Sequence, residues 1–225
     1  MSKIVYDSAY AISLKSAKKR RAHLLRQCAR ANVSVNIFDA FHAKNLNLKK
    51  LVKKNVITDG CRMKAAGKKG SLACYLSHVE IWKMAYKEIE QKDGPVLIME
   101  DDVVLPKKFN DKVYAQYVKL KRFSDWDFFY LGSRRPVGPK AVSGIIKGRA
   151  RTSPGTNSGM YCYLLNPHSV PKLLRILTPI YAPVKDVVVR DKLDKINGYF
   201  LRYPIAKHEY GFSSQRLGHN RMFRK

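Results

Sequence analysis

The sequence predicts an α/β protein with a mostly parallel sheet flanked by helices, and three observations carry that prediction. The apolar stretch Val5 to Leu14 is followed by a basic amphipathic run, Lys15 to Ala31, and then by a second apolar stretch, Val33 to Phe38. Strand–helix–strand in this order is a parallel βαβ unit. Further on, Val96-Leu97-Ile98-Met99 is an unbroken apolar run after the breaker Asp93-Gly94-Pro95, the pattern of a central strand covered on both faces. Finally, 45% of the 225 residues are hydrophobic, enough for a sizeable core.

The elements follow in order. In the first helix, Leu24, Leu25 and Cys28 form the apolar side, while Lys18, Lys19, Arg20, Arg21, Arg26 and Arg30 form the wet side. Ala43 to Lys69 has weak periodicity and reads as a basic surface excursion with one short helix. Gly67 and Gly70 bracket a turn, and Ser71 opens a strong helix from Leu72 to Glu90, with Leu72, Leu76, Val79 and Trp82 at helical spacing. After the central strand, Val103-Val104-Leu105 ends at Pro106, and Phe109 to Leu120 is helical. Trp126 to Leu131 is a further buried strand ending at Gly132. Arg134 to Arg151, rich in Gly and Pro, is a loop or hairpin. Met160 to Leu165 is a strand, Asn166-Pro167 starts a turn of helix, and Val170 to Leu177 is the helix itself. Residues 1–225 are read as one domain. About 1–132 form the nucleotide half, about 133–219 the acceptor half, and Asn220 to Lys225 a basic tail.

The formal charge is +27, from 44 Lys and Arg against 17 Asp and Glu. Such a chain attracts anionic partners: nucleic acid, an anionic membrane face, or a phosphorylated small molecule. The four cysteines, Cys28, Cys61, Cys74 and Cys162, are far apart and contain no CxxC pair. They read as reduced thiols, with Cys74 as plain core. No stretch approaches the roughly 20 apolar residues of a membrane span, and the start lacks the pattern of a secretory signal. A cytoplasmic location is expected, bacterial or in the host cell of a virus, with contact to a membrane surface through charge alone.

Glu100-Asp101-Asp102 is the most informative feature, because three consecutive acids follow a buried strand in a chain with only 17. Alternation along a strand would turn Glu100 and Asp102 one way and Asp101 the other. Clustered carboxylates need a cation or a proton to offset them, and Mg²⁺ or Mn²⁺ suits hard oxygen ligands. In open α/β sheets such sites lie at the carboxyl ends of the strands. A solvated acidic turn paired with nearby lysines is the plain alternative.

Gly70-Ser71-Leu72-Ala73-Cys74-Tyr75-Leu76-Ser77-His78-Val79-Glu80-Ile81-Trp82, followed by Val96-Leu97-Ile98-Met99-Glu100-Asp101-Asp102-Val103, resembles glycosyltransferase family 25. That family includes bacterial lipooligosaccharide galactosyltransferases and animal collagen galactosyltransferases. The resemblance extends to Ile12-Ser13-Leu14 with Arg20, to Asp125-Trp126-Asp127 with Leu131-Gly132, to Thr156 through Leu174, and to Pro183-Val184 with Asp186. It spans Ile4 to about His219. Ser13 stands where the family has Asn, Ser71 where it usually has Glu, Ala73 where it has Gly, and Lys185 is inserted before Asp186.

The resemblance implies a GT-A-like, Rossmann-like nucleotide-sugar transferase fold. It also implies transfer of galactose or glucose from a UDP-sugar to a hydroxyl acceptor on a glycan, a lipid-linked saccharide or a protein, with inversion. Asp102 and Glu100 are the implied ligands of Mn²⁺ or Mg²⁺, completed from the late histidines His208 or His219, each of which also reads as a simple loop residue. Glu100 and Asp101 would bind metal or ribose. Ser13, Leu14, Arg20, Ser77, His78 and Asn157 are the candidates for the donor pocket, although Ser77 fits helix packing and His78 a buried, satisfied histidine equally well. Asp186, then Asp191, is the candidate base for the acceptor hydroxyl, although Asp186 fits a surface acid paired with Lys185 or Arg190 nearly as well. Trp82 reads as core rather than as a sugar platform.

Two other classes compete. A nucleic-acid-binding protein accounts for the charge, but the basic residues are spread along the chain and three acids would repel phosphate, so no specific nucleic acid is expected. A catalytically inactive relative that only binds is kept open by Ser13, Ser71 and Ala73.

Overall fold

The computed structural model describes residues 3–61, 68–150, 156–182, 191–209 and 211. Among them the chain forms β1 (Ser8–Ser13), α1 (Lys18–Ala31), β2 (Asn36–Asp39), α2 (Leu48–Lys53), α3 (Lys69–Lys87), β3 (Val96–Glu100) and β4 (Val103–Val104). These are followed by α4 (Phe109–Leu120), β5 (Phe128–Arg134), β6 (Lys140–Val142), β7 (Ile145–Lys147), β8 (Ser158–Leu165), α5 (Val170–Leu177), β9 (Gly198–Leu201) and β10 (Lys207–His208).

Eight strands make one sheet in the order β2-β1-β3-β8-β5-β9-β7-β6, and β4 pairs separately with β10. The pairs β1–β2, β1–β3 and β5–β9 are parallel, whereas β8 runs antiparallel to both β3 and β5, and β7 to both β9 and β6. Six of the eight strands therefore point the same way, with only β7 and β8 reversed. This is the mostly parallel α/β sheet the sequence predicts, and β1-α1-β2 is its first βαβ unit.

Both faces of the sheet are covered, and strand parity sorts the core into two layers. Tyr10, Ile12, Val96, Ile98, Phe128, Tyr130, Tyr163 and Leu165 pack with Leu76, Val79 and Trp82 of α3 and with Leu173 of α5. Their neighbours Ala9, Ala11, Leu97, Met99, Phe129, Leu131, Cys162 and Leu164 pack against Leu24 and Cys28 of α1 and Phe109 and Val113 of α4. Burial of both faces explains the unbroken apolar runs. On the α3 side an aromatic layer locks the packing, with Tyr130 stacked on Phe200 at 4.2 Å and Trp82 5.5 Å from Phe128. No described helix is long and apolar enough to cross a membrane.

The second strand begins at Asn36 rather than Val33. Asn32 closes α1 in the left-handed conformation, and the Val33 N–H bonds back to the Cys28 carbonyl. This helix-ending turn uses Val33 as its apolar plug. α3 starts at Lys69, two residues before Ser71, without a side-chain cap. The Gly- and Pro-rich segment after β5 is a hairpin, β6–β7, added to the far edge of the sheet.

Candidate active site

A cavity of about 530 Å³ opens at the carboxyl end of β3. Its walls come from the end of β1 and the first turn of α1 (Ser13 to Arg20), from Ala40 and Phe41 after β2, from Gly70 and Cys74 of α3, from Glu100, Asp101 and Asp102, and from His208. The topology explains the position. β1 and β3 are adjacent parallel strands, so their carboxyl ends and the loops that leave them open on the same edge.

The three acids do not alternate as the sequence suggests. Strand geometry stops at Glu100 and the chain turns through Asp101 and Asp102, so the two-residue period ends there. Glu100 continues the Ile98 parity and faces α3. Asp101 and Asp102 both turn toward α1. Ser13 Oγ donates to Asp101 Oδ2 at 2.6 Å, and Arg20 Nε donates to Asp101 Oδ1 at 2.7 Å. Arg20 Nη2 reaches Asp102 Oδ2 at 2.8 Å and also pairs with Asp101. One guanidinium fork thus holds two carboxylates, a geometry a lysine could not reproduce. Burial pushes the Asp101 carboxyl above its usual range, with the Asp102 charge adding to the rise, against the downward pull of Arg20 and Ser13.

His208 arrives from the other end of the chain. β10 pairs with β4, placing His208 opposite Val103, while the Glu209 N–H donates to the Asp102 carbonyl at 2.7 Å. His208 Nε2 then lies 3.3 Å from Asp102 Oδ2. Its ring meets the edge of Tyr161 at 5.6 Å. Tyr161 occupies the space that a side chain on residue 132 would fill, since a Cβ on Gly132 would lie 2.2 Å from the Tyr161 ring.

The residues fit a divalent ion. Asp102 Oδ1 is buried and makes no hydrogen bond; its carboxylate suits Mn²⁺ or Mg²⁺, and the imidazole beside it favours Mn²⁺ of the two. Asp102 and His208 are thus the predicted metal ligands that the structure brings together. Glu100 is separated from them. It faces His78, whose Nε2 lies 3.7 Å from Glu100 Oε1.

His78 is fully buried, its Nδ1 2.8 Å from the Tyr163 hydroxyl, which also accepts from Trp82 Nε1 at 2.9 Å. Burial alone would lower its pKa, but Cys74 and Glu100 outweigh it and push the ring up to about 9. Ser77 faces away from the cavity. Its Oγ accepts from the Phe41 N–H at 3.0 Å and donates to the Ala73 carbonyl at 2.8 Å, pinning the loop after β2 onto α3. Leu14 and Ser13 line the cavity, and their carbonyls are held by Arg21 at 2.9 Å each.

Two further predictions are corrected. Asn157 is no donor-pocket residue: its side chain accepts from Val137 N–H at 2.6 Å and donates to the carbonyls of Val137 and Arg149, so it clamps the β6–β7 hairpin. Cys74 is not plain core. It is half-buried on the cavity wall, one helical turn before His78. The signal was available in its four-residue spacing from His78. Asp191 accepts from Tyr181 Oη at 3.3 Å and does not line the cavity. Asp186 and His219 lie outside the described residues. Trp82 is core, as expected.

The fold thus gathers acids, an arginine and a histidine at the strand ends of an α/β sheet. The model of glycosyltransferase family 25 (LPS biosynthesis protein) matches residues 6–138, and the chain belongs to that family. It is similar to procollagen galactosyltransferase 2 of Mus musculus, 29% identical over 152 residues, which cover 64% of this chain and 24% of that protein. It is equally similar to the inactive glycosyltransferase 25 family member 3 of Mus musculus, 30% identical over 154 residues, covering 64% of this chain and 25% of that one. The chain thus spans about a quarter of the length of the curated relatives it matches. Among solved structures, a glycosyltransferase involved in the glycosylation of the major capsid of PBCV-1 superposes with a TM-score of 0.46 at 9% identity, over 94% of this chain and 97% of that one.

Proposed function

We propose that the chain is a metal-dependent glycosyltransferase that moves galactose or glucose from a UDP-sugar to a hydroxyl on a glycan, a lipid-linked saccharide or a protein, with inversion. The observation that carries this reading is the Asp101–Asp102 pair, held by one arginine beside His208 at the mouth of a cavity large enough for a nucleotide. Asp102 and His208 would hold Mn²⁺ or Mg²⁺, whose role when bound is to neutralise charge on the departing diphosphate.

The chain's own residues prepare the same place. Ser16, just before α1, and Lys18 and Lys19 of its first turn line the cavity. The two ammonium groups suit a diphosphate. Arg20 and Ser13 keep Asp101 in place beside Asp102. Asp186 stays the proposed base, on the family resemblance. The +27 surface suits an anionic acceptor or an anionic membrane carrying it.

Binding without turnover is the competing reading, because a relative named inactive is as similar as one named a galactosyltransferase. The deciding experiment incubates the protein with UDP-galactose or UDP-glucose and Mn²⁺ and measures UDP release. Metal-dependent release that disappears in Asp102→Asn is expected. Release that persists in Asp102→Asn, or without divalent ions, would overturn the metal assignment. Nucleotide-dependent thermal stabilisation without release would favour the binding-only reading.

A further inference from the structure

We infer that Cys74, His78 and Glu100 form a second metal site, selective for a thiolate-seeking divalent ion such as Zn²⁺, on the wall opposite Asp102 and His208. Cys74 and His78 lie one turn apart on α3 and so share a face. β3 brings Glu100 to that face as its last residue. One ligand atom from each, the cysteine sulfur, an imidazole nitrogen and a carboxylate oxygen, lie within 4.8 Å of one another. Donor atoms around a tetrahedral zinc, with bonds of ~2.0–2.3 Å, stand roughly 3.3–3.8 Å apart. An N/O pair at such an ion stands about 3.4 Å apart, so the 3.7 Å between His78 Nε2 and Glu100 Oε1 closes with a shift of a few tenths of an ångström, and the sulfur moves in from within 4.8 Å.

The histidine is prepared for the role. Its Nε2 is buried, makes no hydrogen bond, and points at Glu100. Its Nδ1 faces the Tyr163 hydroxyl, which Trp82 fixes from the other side. Metal-binding histidines have their second nitrogen anchored in this way. With Nδ1–H given to Tyr163, a metal at Nε2 takes the place of a proton there, and the Cys74 thiol releases its proton to solvent as it binds as thiolate.

Three protein donors leave a fourth position. Cys74 and Glu100 line the cavity, so that position opens onto it, to be filled by water or by an anionic oxygen of the bound ligand. Thiolate with imidazole favours Zn²⁺ over Mg²⁺ or Mn²⁺, whereas Asp102 with His208 offers no sulfur. This inference does not depend on what the cavity turns over.

The test is a titration of the metal-stripped full chain with Co²⁺, followed by absorbance. A thiolate-to-cobalt charge-transfer band that saturates at one ion per chain and is displaced by Zn²⁺ is expected. The band should vanish in Cys74→Ser and survive in Asp102→Asn and Cys61→Ser. Tyr163→Phe should keep it but weaken zinc affinity about 10–100-fold. Circular dichroism establishes that Cys74→Ser is folded; should it not be, loss of the band in Glu100→Gln replaces it. No band in the parent chain, or a band that persists in Cys74→Ser, would overturn the site. Loss of UDP release in Asp102→Asn with the cobalt band intact would separate the two metal assignments.

Discussion

Glu100 and Asp102 stand two residues apart in the chain and serve opposite walls of one cavity. On the α1 wall, Asp101 and Asp102 are gripped by an arginine that is itself one-fifth exposed, and the wall is completed by a histidine from the C-terminal region. On the α3 wall, Glu100 faces a histidine with no exposure at all, backed by Tyr163 and Trp82. The first wall, whose cations are part-exposed, is the wet wall and is rich in oxygen donors. The second, whose histidine, tyrosine and tryptophan are sealed from solvent behind Glu100, is the dry wall and includes sulfur at the cavity surface. The difference shows how a strand end can use its last residue for one layer and its turn for the other, so that three adjacent acids acquire two chemistries.

Turnover offers the sharpest break between the walls. Asp102→Asn removes a carboxylate charge at the proposed metal position while keeping its size. UDP release should fall about a thousandfold, since charge stabilisation at such a position is worth several kcal/mol. Thermal stability should change little. Equal losses in Asp102→Asn and in Glu100→Gln would mean that both walls serve one metal, and the comparison would collapse.

The dry wall should announce itself through pH. The His78 ring is raised to about 9 from an ordinary 6.5 because Cys74 and Glu100 outweigh burial, which pushes the other way. A group with a raised folded-state pKa binds its proton more tightly when folded. Its stabilisation is complete below about pH 6.5 and is lost as pH rises through about 9. For a buried group this is on the order of 3 kcal/mol. Urea unfolding of the metal-stripped chain across that window should show the decline, and His78→Asn should flatten it. A parent chain as flat as the variant would show that His78 is not charged.

The wet wall should respond to arginine loss by a smaller amount. Arg20→Ala leaves two neighbouring carboxylates without their cation. A fully buried pair broken in this way costs ~3–5 kcal/mol, but Arg20 is part-exposed and water screens the remaining charges, so about 2 kcal/mol is expected. Mn²⁺ should restore part of it by taking over the neutralisation. The same addition should do little for Tyr163→Phe, which belongs to the other wall.

How much of this was legible in the sequence follows from the range of each interaction. α4 and α5 match their predicted spans residue for residue because their apolar periodicity is local. The acids were visible as a cluster, but which wall each would serve was not, because the turn after Glu100 breaks the alternation a strand would impose. His208 was one of two late histidines, and only the pairing of β10 with β4 puts it beside Asp102. Asn157 misled because a buried asparagine that clamps a hairpin and one that binds a ligand are the same letter. Cys74 was passed over because a half-buried thiol beside a helix stripe resembles core until β3 supplies Glu100 as its neighbour.

Tyr163→Phe tests whether the dry wall is a unit. The hydroxyl receives the Trp82 N–H at 2.9 Å and sits 2.8 Å from His78 Nδ1. Deleting it leaves both buried nitrogens without that oxygen, at ~1–3 kcal/mol for each orphaned donor, but it also removes a buried hydroxyl that had itself to be desolvated. A net loss of about 1–2 kcal/mol is expected in urea unfolding. The ring stays, so its packing against Phe128 at 5.6 Å is kept. The decisive readout is the coupling with His78→Asn. If Trp82, Tyr163, His78 and Glu100 act as one network, the double variant should lose clearly less than the sum of the two single losses, because the second substitution removes a partner already orphaned. Strict additivity would mean that Tyr163 holds Trp82 alone, and that His78 faces Glu100 without support from behind.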